Sequence, residues 1–179
     1  MRIAPLMAML VALALLSGEA PAQRRSGRLG PPAGASAEIQ YLREVERGIF
    51  RLTNEVRRKE GLPGLTWDAA LARVARAHSA DMLVRGYFRH ESPEGRTPHE
   101  RAKDGTPYAL AASGENLWGA QGDQPLDPER LPRIIVDTWL ASPGHRANLL
   151  NPAFTDLGVG VAQKGNAIRA TQVFGRPRQ

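Results

Sequence analysis

The chain has 179 residues, 42% of them apolar, no cysteine, and a formal net charge of +6 at pH 7. This is enough chain for one domain with a packed core, and it excludes disulfides, thiolate metal sites and thiol nucleophiles. Basic residues are not interleaved with aromatics, which argues against a nucleic-acid partner. The positive charge suits an anionic envelope surface, although arginines set beside glutamates on helix faces fit a compositional bias equally well.

In chain order, Arg2 precedes an apolar run to Leu16, and Ala20-Pro21-Ala22 matches a small-residue cleavage site. Residues 1–22 are therefore expected to be a signal peptide cut after Ala22, with export to the periplasm or outside the cell. The run is short for a membrane span, so none is expected once the signal is removed. Residues 23–37, rich in Gly, Pro, Ala and Ser, are expected to be a disordered linker ahead of one domain over 38–177.

From Glu38 to Glu60, Ile39, Leu42, Val45, Ile49, Leu52 and Val56 recur at three and four, which predicts an amphipathic helix. A second helix is expected from Thr66, as N-cap, to Arg85, with Trp67, Leu71, Val74, His78 and Met82 on one face. His78 in that apolar stripe reads as a buried, hydrogen-bonded structural histidine. Ser92-Pro93-Glu94-Gly95 reads as a turn, and Thr97-Pro98-His99-Glu100 as a capping box that starts another helix, with His99 exposed and without a role. Residues 105–131 are expected to be mainly loop. A helix from about Pro132 carries Trp139, and Ser142-Pro143 should cap a further short helix that holds His145 in its first turn. Two strands around Lys164-Gly165-Asn166 close the domain, with Ile168, Ala170, Gln172 and Phe174 on one face. Helices first and strands last predict an α+β domain.

Three residues carry the candidate chemistry. His145 lies at a helix start, where the partial positive charge disfavours imidazolium and leaves a neutral ring able to accept a proton or bind a metal. Glu115, between Gly114 and Asn116, and His90, just ahead of a turn, are its candidate partners. Two histidines and a glutamate can form a catalytic-type zinc shell with an open position. Their wide separation lacks the close spacing of H-E-x-x-H, and a capping role for His145 or an exposed loop role for Glu115 stays open. No G-x-S-x-G elbow points to a serine hydrolase.

Seven segments, in order, resemble one family: "LTNEVRRKEGLPGLTWD" (52–68), "AHSADM" (77–82), "YFRHESPEGRTPHER" (87–101), "GENLWGA" (114–120), "WLASPGHRANLLNP" (139–152), "LGVGVA" (157–162) and "TQVFG" (171–175). They are similar to the CAP superfamily, in its bacterial secreted SCP-like branch. The resemblance implies a single-domain α–β–α sandwich with a small antiparallel sheet between helical layers. It also implies a cleft lined in many members by two histidines and two glutamates, which hold a divalent metal in some. By motif, His90, Glu115 and His145 match three of these four. The fourth place, three residues after Trp139, is Ser142, so one carboxylate is replaced; Asp137, Glu91 and Glu94 are the candidate substitutes.

The expected function is that of an exported, monomeric CAP-domain protein of the bacterial envelope. Its His90/Glu115/His145 cleft binds a lipid, glycan or protein. The alternative is a hydrolase built on the same three residues, with or without a metal such as zinc held by His90, His145 and Glu115.

Overall fold

The structure, a computed structural model, describes residues 34–122 and 127–178. The expected signal peptide and most of the expected linker lie outside the described residues. Five helices and four strands follow in the order α1 (Ala35–Lys59), β1 (Thr66–Trp67), α2 (Ala69–Arg85), α3 (Pro98–Gly105), β2 (Leu110–Gln121), α4 (Leu131–Ala141), α5 (Pro143–Leu149), β3 (Asp156–Lys164) and β4 (Ala167–Pro177). The strands form one sheet in the order β1-β3-β4-β2.

Helices cover both faces of this sheet, as the α–β–α expectation requires. On one face Leu71, Val74 and Ala75 of α2 and Ala102 of α3 pack with Leu110 and Val173. On the other, Val45, Ile49 and Leu52 of α1 and Ile135, Val136 and Trp139 of α4 pack with Ile168, Ala170 and Phe174 of β4. The period-two reading of β4 therefore holds, since Ile168, Ala170, Gln172 and Phe174 are all buried.

The sheet is mixed rather than antiparallel. β1 pairs in parallel with β3, Thr66 opposite Asp156, while the other two pairings are antiparallel. This also corrects the start of the second helix. Thr66 and Trp67 extend along β3, with Thr66 N–H donating to Thr155 O (2.8 Å). The N-cap is Asp68, whose side chain accepts from Leu71 N at 2.7 Å. Trp67 thus leaves the α2 face and packs edge-on against Phe50.

The larger correction concerns residues 105–131. Twelve of them form β2, which pairs along its length with β4 and puts Glu115 opposite Val173 and Asn116 opposite Gln172. Gly and Asn are depleted in strands, and β2 has no β-branched residue, so local composition hides it.

Two contacts fix the layers close to the site. α2 lies directly on β3, where a Cβ at Gly158 or Gly160 would come within 2.1 or 2.0 Å of the α2 backbone. Ser79 Oγ seals that approach by donating to Gly160 O (2.9 Å). At the other end, the buried Arg57 guanidinium donates to Pro63 O (2.9 Å), Leu149 O (2.8 Å) and Asn151 O (3.0 Å). It satisfies carbonyls at the end of α5 and ties that short helix to α1.

Candidate functional site

The site forms at the β2 edge of the sheet. Glu115 projects from β2 toward the α2/α3 face, and its side chain is only 2% exposed. A buried carboxylate must be hydrogen-bonded and charge-compensated to stay ionised. Both oxygens are occupied: Oε1 lies 2.9 Å from His90 Nδ1, and Oε2 accepts from an Arg101 guanidinium nitrogen at 2.8 Å. Because a carboxylate only accepts, Nδ1 of His90 is the donor, which leaves Nε2 as the acceptor whenever the ring is uncharged.

His90 is held by the segment that leaves α2. The expected turn is present, with Gly95 N–H donating to Ser92 O (2.8 Å), and Ser92 Oγ donating to Glu94 (3.0 Å). Arg85 pairs with Glu94, and that hydrogen bond, more than any other influence, takes the Glu94 carboxyl down to about 2. Glu94 is thus committed outside the cleft and is no substitute for the missing acid. The expected capping box is complete: Thr97 Oγ1 accepts from Glu100 N–H at 3.3 Å and the Glu100 carboxylate accepts from Thr97 N–H at 2.8 Å. It starts α3 at Pro98, three residues ahead of Arg101. His99 is hydrogen-bonded to Ser113 Oγ through Nδ1 (2.8 Å), a tie between α3 and β2 that the sequence reading did not assign.

His78 is buried beneath this group, as its place in an apolar stripe suggests. Its Nε2 donates to Arg89 O at 3.2 Å and lies 3.8 Å from Glu115 Oε1, too far for a hydrogen bond. Burial lowers the His78 pKa and outweighs the opposing pull of Glu115, so the ring is neutral at pH 7 and the contact is not an ion pair.

On the opposite face of β2 the polar contacts are neutral. Asn116 Nδ2 donates to His145 O (3.1 Å) and Gln172 Oε1 (3.2 Å), while its Oδ1 accepts from Asn148 (2.9 Å). Gln172 passes the network to Thr53 of α1 at 2.8 Å. Asn148 also donates to Glu115 O (3.1 Å), so α5 covers the free edge of β2. That approach needs Gly114, where a Cβ would come 2.8 Å from the Phe154 ring and 3.2 Å from Asn148 Oδ1.

α5 begins after Ser142 as expected, but the serine side chain makes no capping hydrogen bond; only its carbonyl is used, by Arg146 N–H at 2.8 Å. Arg146 itself pairs with Glu60 on the surface (3.2 Å). His145, in the first turn, is half-buried and its Nδ1 is buried without a partner. Burial, then the charge of His90, lowers its pKa.

His90 and Glu115 are therefore in direct contact, while His145 lies across β2 from them, its carbonyl held by Asn116. The sequence reading missed Arg101, Asn116 and Asn148. Arg101 had one local signal, since a cation in the first turn of a helix opposes the helix dipole and requires a fixed partner. Asn148 had another, three residues after His145 on the same helix face.

A zinc shell does not fit this donor set. Both Glu115 oxygens are engaged, one by a guanidinium whose positive charge would oppose a cation there. Among the described residues no three His, Cys, Asp or Glu side chains are grouped to hold a metal ion.

The α–β–α architecture defines a class, and similarity to known proteins identifies it. The chain belongs to the Cysteine-rich secretory protein family (CAP), which it matches over residues 50–174. It is 36% identical over 148 residues to the Bacillus subtilis protein YkwD, a match that covers 82% of this chain and 51% of the relative. It is 40% identical over 119 residues to the Bacillus subtilis membrane protein YlbC, with 66% and 32% covered. The chain thus spans about half the length of the first relative and less of the second. Among solved structures, an extracellular SCP-domain protein from Bacillus anthracis is similar at TM-score 0.69 and 37% identity, over 82% of this chain and 45% of that one. An outer surface protein of Borrelia burgdorferi shares the fold at TM-score 0.65 and 22% identity, over 75% and 94%. Among the described residues no helix is long and apolar enough to cross a membrane.

Proposed function

We propose that this chain is an exported protein of the cell envelope, released by cleavage after Ala22, that binds a ligand as a monomer in the His90/Glu115/His145 cleft. The observation that carries this reading is the occupation of both Glu115 oxygens by Arg101 and His90. With its charge neutralised internally, the carboxylate orients His90, and the half-exposed His90 ring with its Nε2 acceptor recognises the ligand. Of the side chains that a lipid groove in this segment would need, Leu110, Leu117 and Trp118 are buried and only Tyr108 is half-exposed. This favours a polar envelope ligand, a glycan or a protein segment, over a lipid.

A metal-free hydrolase is the second reading, and His145 supports it. A half-buried imidazole with a lowered pKa and an unpartnered Nδ1 is a neutral ring able to take a proton.

Titration with zinc by calorimetry, on the chain from Gln23 and on His90→Ala and His145→Ala, separates these from a metallohydrolase. The metal-free readings predict no saturable binding at an affinity on the order of micromolar. Stoichiometric binding that both variants lose while remaining folded would overturn them.

A further inference from the structure

A second concavity lies at the other edge of the sheet, where α1 passes β1 and the start of α2. It encloses about 370 Å³, within the range of small-molecule sites. One wall is a stripe of α1, with Arg43, Glu46, Arg47 and Phe50 at three- and four-residue spacing; Trp67 and Arg76 close the opposite side.

The charges within it are uneven. Glu46 is 1% exposed and fully used: Arg76 grips it with two nitrogens, at 2.7 and 2.6 Å, and Val161 N–H donates at 3.1 Å. Arg76 thereby neutralises the only carboxylate in the lining. Arg43 and Arg47 are exposed one turn apart, and among the described residues neither has an ion-pair partner or a side-chain hydrogen bond. Two like charges at that spacing repel each other, and an anion between them relieves the repulsion. The remaining lining is apolar, Ala69 and the Phe50 and Trp67 rings, which stand edge to face at 5.4 Å. A net positive rim over an aromatic wall selects for an anion attached to a flat apolar group.

We propose that this chamber is a second ligand site, separate from the His90/Glu115 cleft, for a phosphate- or carboxylate-bearing molecule. Its anionic group lies between Arg43 and Arg47, and its apolar part rests on Phe50 and Trp67. Arg76 acts as a positioning residue, fixed by Glu46 so that its charge is spent within the wall.

Trp67 provides the readout, because Trp118 and Trp139 are buried and Trp67 is half-buried at the chamber. Phenyl phosphate, benzoate and phenol are titrated against the purified protein while tryptophan emission is followed. The expected result is a saturable change with phenyl phosphate or benzoate, absent with phenol and absent from Trp67→Phe. Whichever anion binds more tightly assigns the natural ligand to phosphate or carboxylate chemistry. Arg43→Gln and Arg47→Gln, singly and together, keep the folded far-ultraviolet signal, and the pair weakens binding by about tenfold or more. His90→Ala and His145→Asn leave the titration unchanged, which keeps this site's failure distinct from failure of the cleft. A response to phenol equal to that of the anions, no saturable response, or equal affinity in the arginine variants overturns the proposal.

Discussion

Glu46 and Glu115 are both buried glutamates, each on an element at one flank of the sheet and each ion-paired to an arginine from a neighbouring helix. They differ in what completes the shell. Glu46 receives three donors, two from one guanidinium and one from the β3 backbone, all fixed by the fold. Glu115 receives one guanidinium nitrogen and one imidazole, and that imidazole is 49% exposed. A carboxylate closed by rigid donors is part of the frame. One whose second partner is a solvent-facing histidine couples the interior to whatever reaches the surface, and this is why the proposed binding site is set at the β2 edge.

The difference can be tested first where it is largest. Glu46→Gln offers one acceptor and a new donor to three converging donors, so one N–H must face another. We expect a loss of roughly 3 kcal/mol, at the low end for a broken buried pair because Arg76 retains some contact with water. Urea unfolding checks it, and a loss below about 1 kcal/mol would mean that Glu46 is no more fixed than Glu115.

Glu115→Gln should cost less, about 1–2 kcal/mol. The amide oxygen can still accept from Arg101, and its nitrogen can donate to His90 Nδ1 once the ring adopts its other tautomer. That change reverses Nε2 of His90 from acceptor to donor. On the binding reading, ligand affinity falls further than stability does. Equal losses for the two glutamine variants would remove the distinction between frame and site.

The smallest effect is the response to pH. Burial lowers the pKa of both His78 and His145 below the ordinary 6.5. As pH falls through 6.5, unfolded histidines take up protons while the folded rings do not, so the unfolded state binds more protons. Stability is therefore full above about pH 7 and declines as pH falls from there toward the lowered folded values. Thermal melts between pH 7.5 and 5 should show a falling Tm, and His145→Asn should flatten part of the slope. A flat profile in the parent protein would contradict the buried, neutral state of both rings.

Legibility in the sequence followed the range of the interaction. The face of α1 from Leu42 to Val56, the capping box of α3, the Ser92–Gly95 turn and the hairpin about Gly165 are set by neighbours within a few residues, and each is where the pattern put it; of the α1 face only Ile39, near the helix start, is exposed. His90 and Glu115 were legible through ordered motifs, and their contact then followed from the fold. Asn116, Asn148 and Arg101 were not, because their partners are remote: Asn116 meets Gln172 across 56 positions, and Gln172 meets Thr53 across 119. No local pattern records such pairings.

By itself, then, the sequence determined the helices, the final hairpin, the α+β class and the family, all of which depend on local periodicity, caps and motif order. Tertiary structure decided the rest. β1 and β2 are strands only because β3 and β4 supply hydrogen-bond partners along their edges, overriding weak or misleading local composition. It also decided that Glu115 faces Arg101 and that Glu46 is buried, since the ionisation and satisfaction of a buried carboxylate depend on which distant donors the packing brings to it.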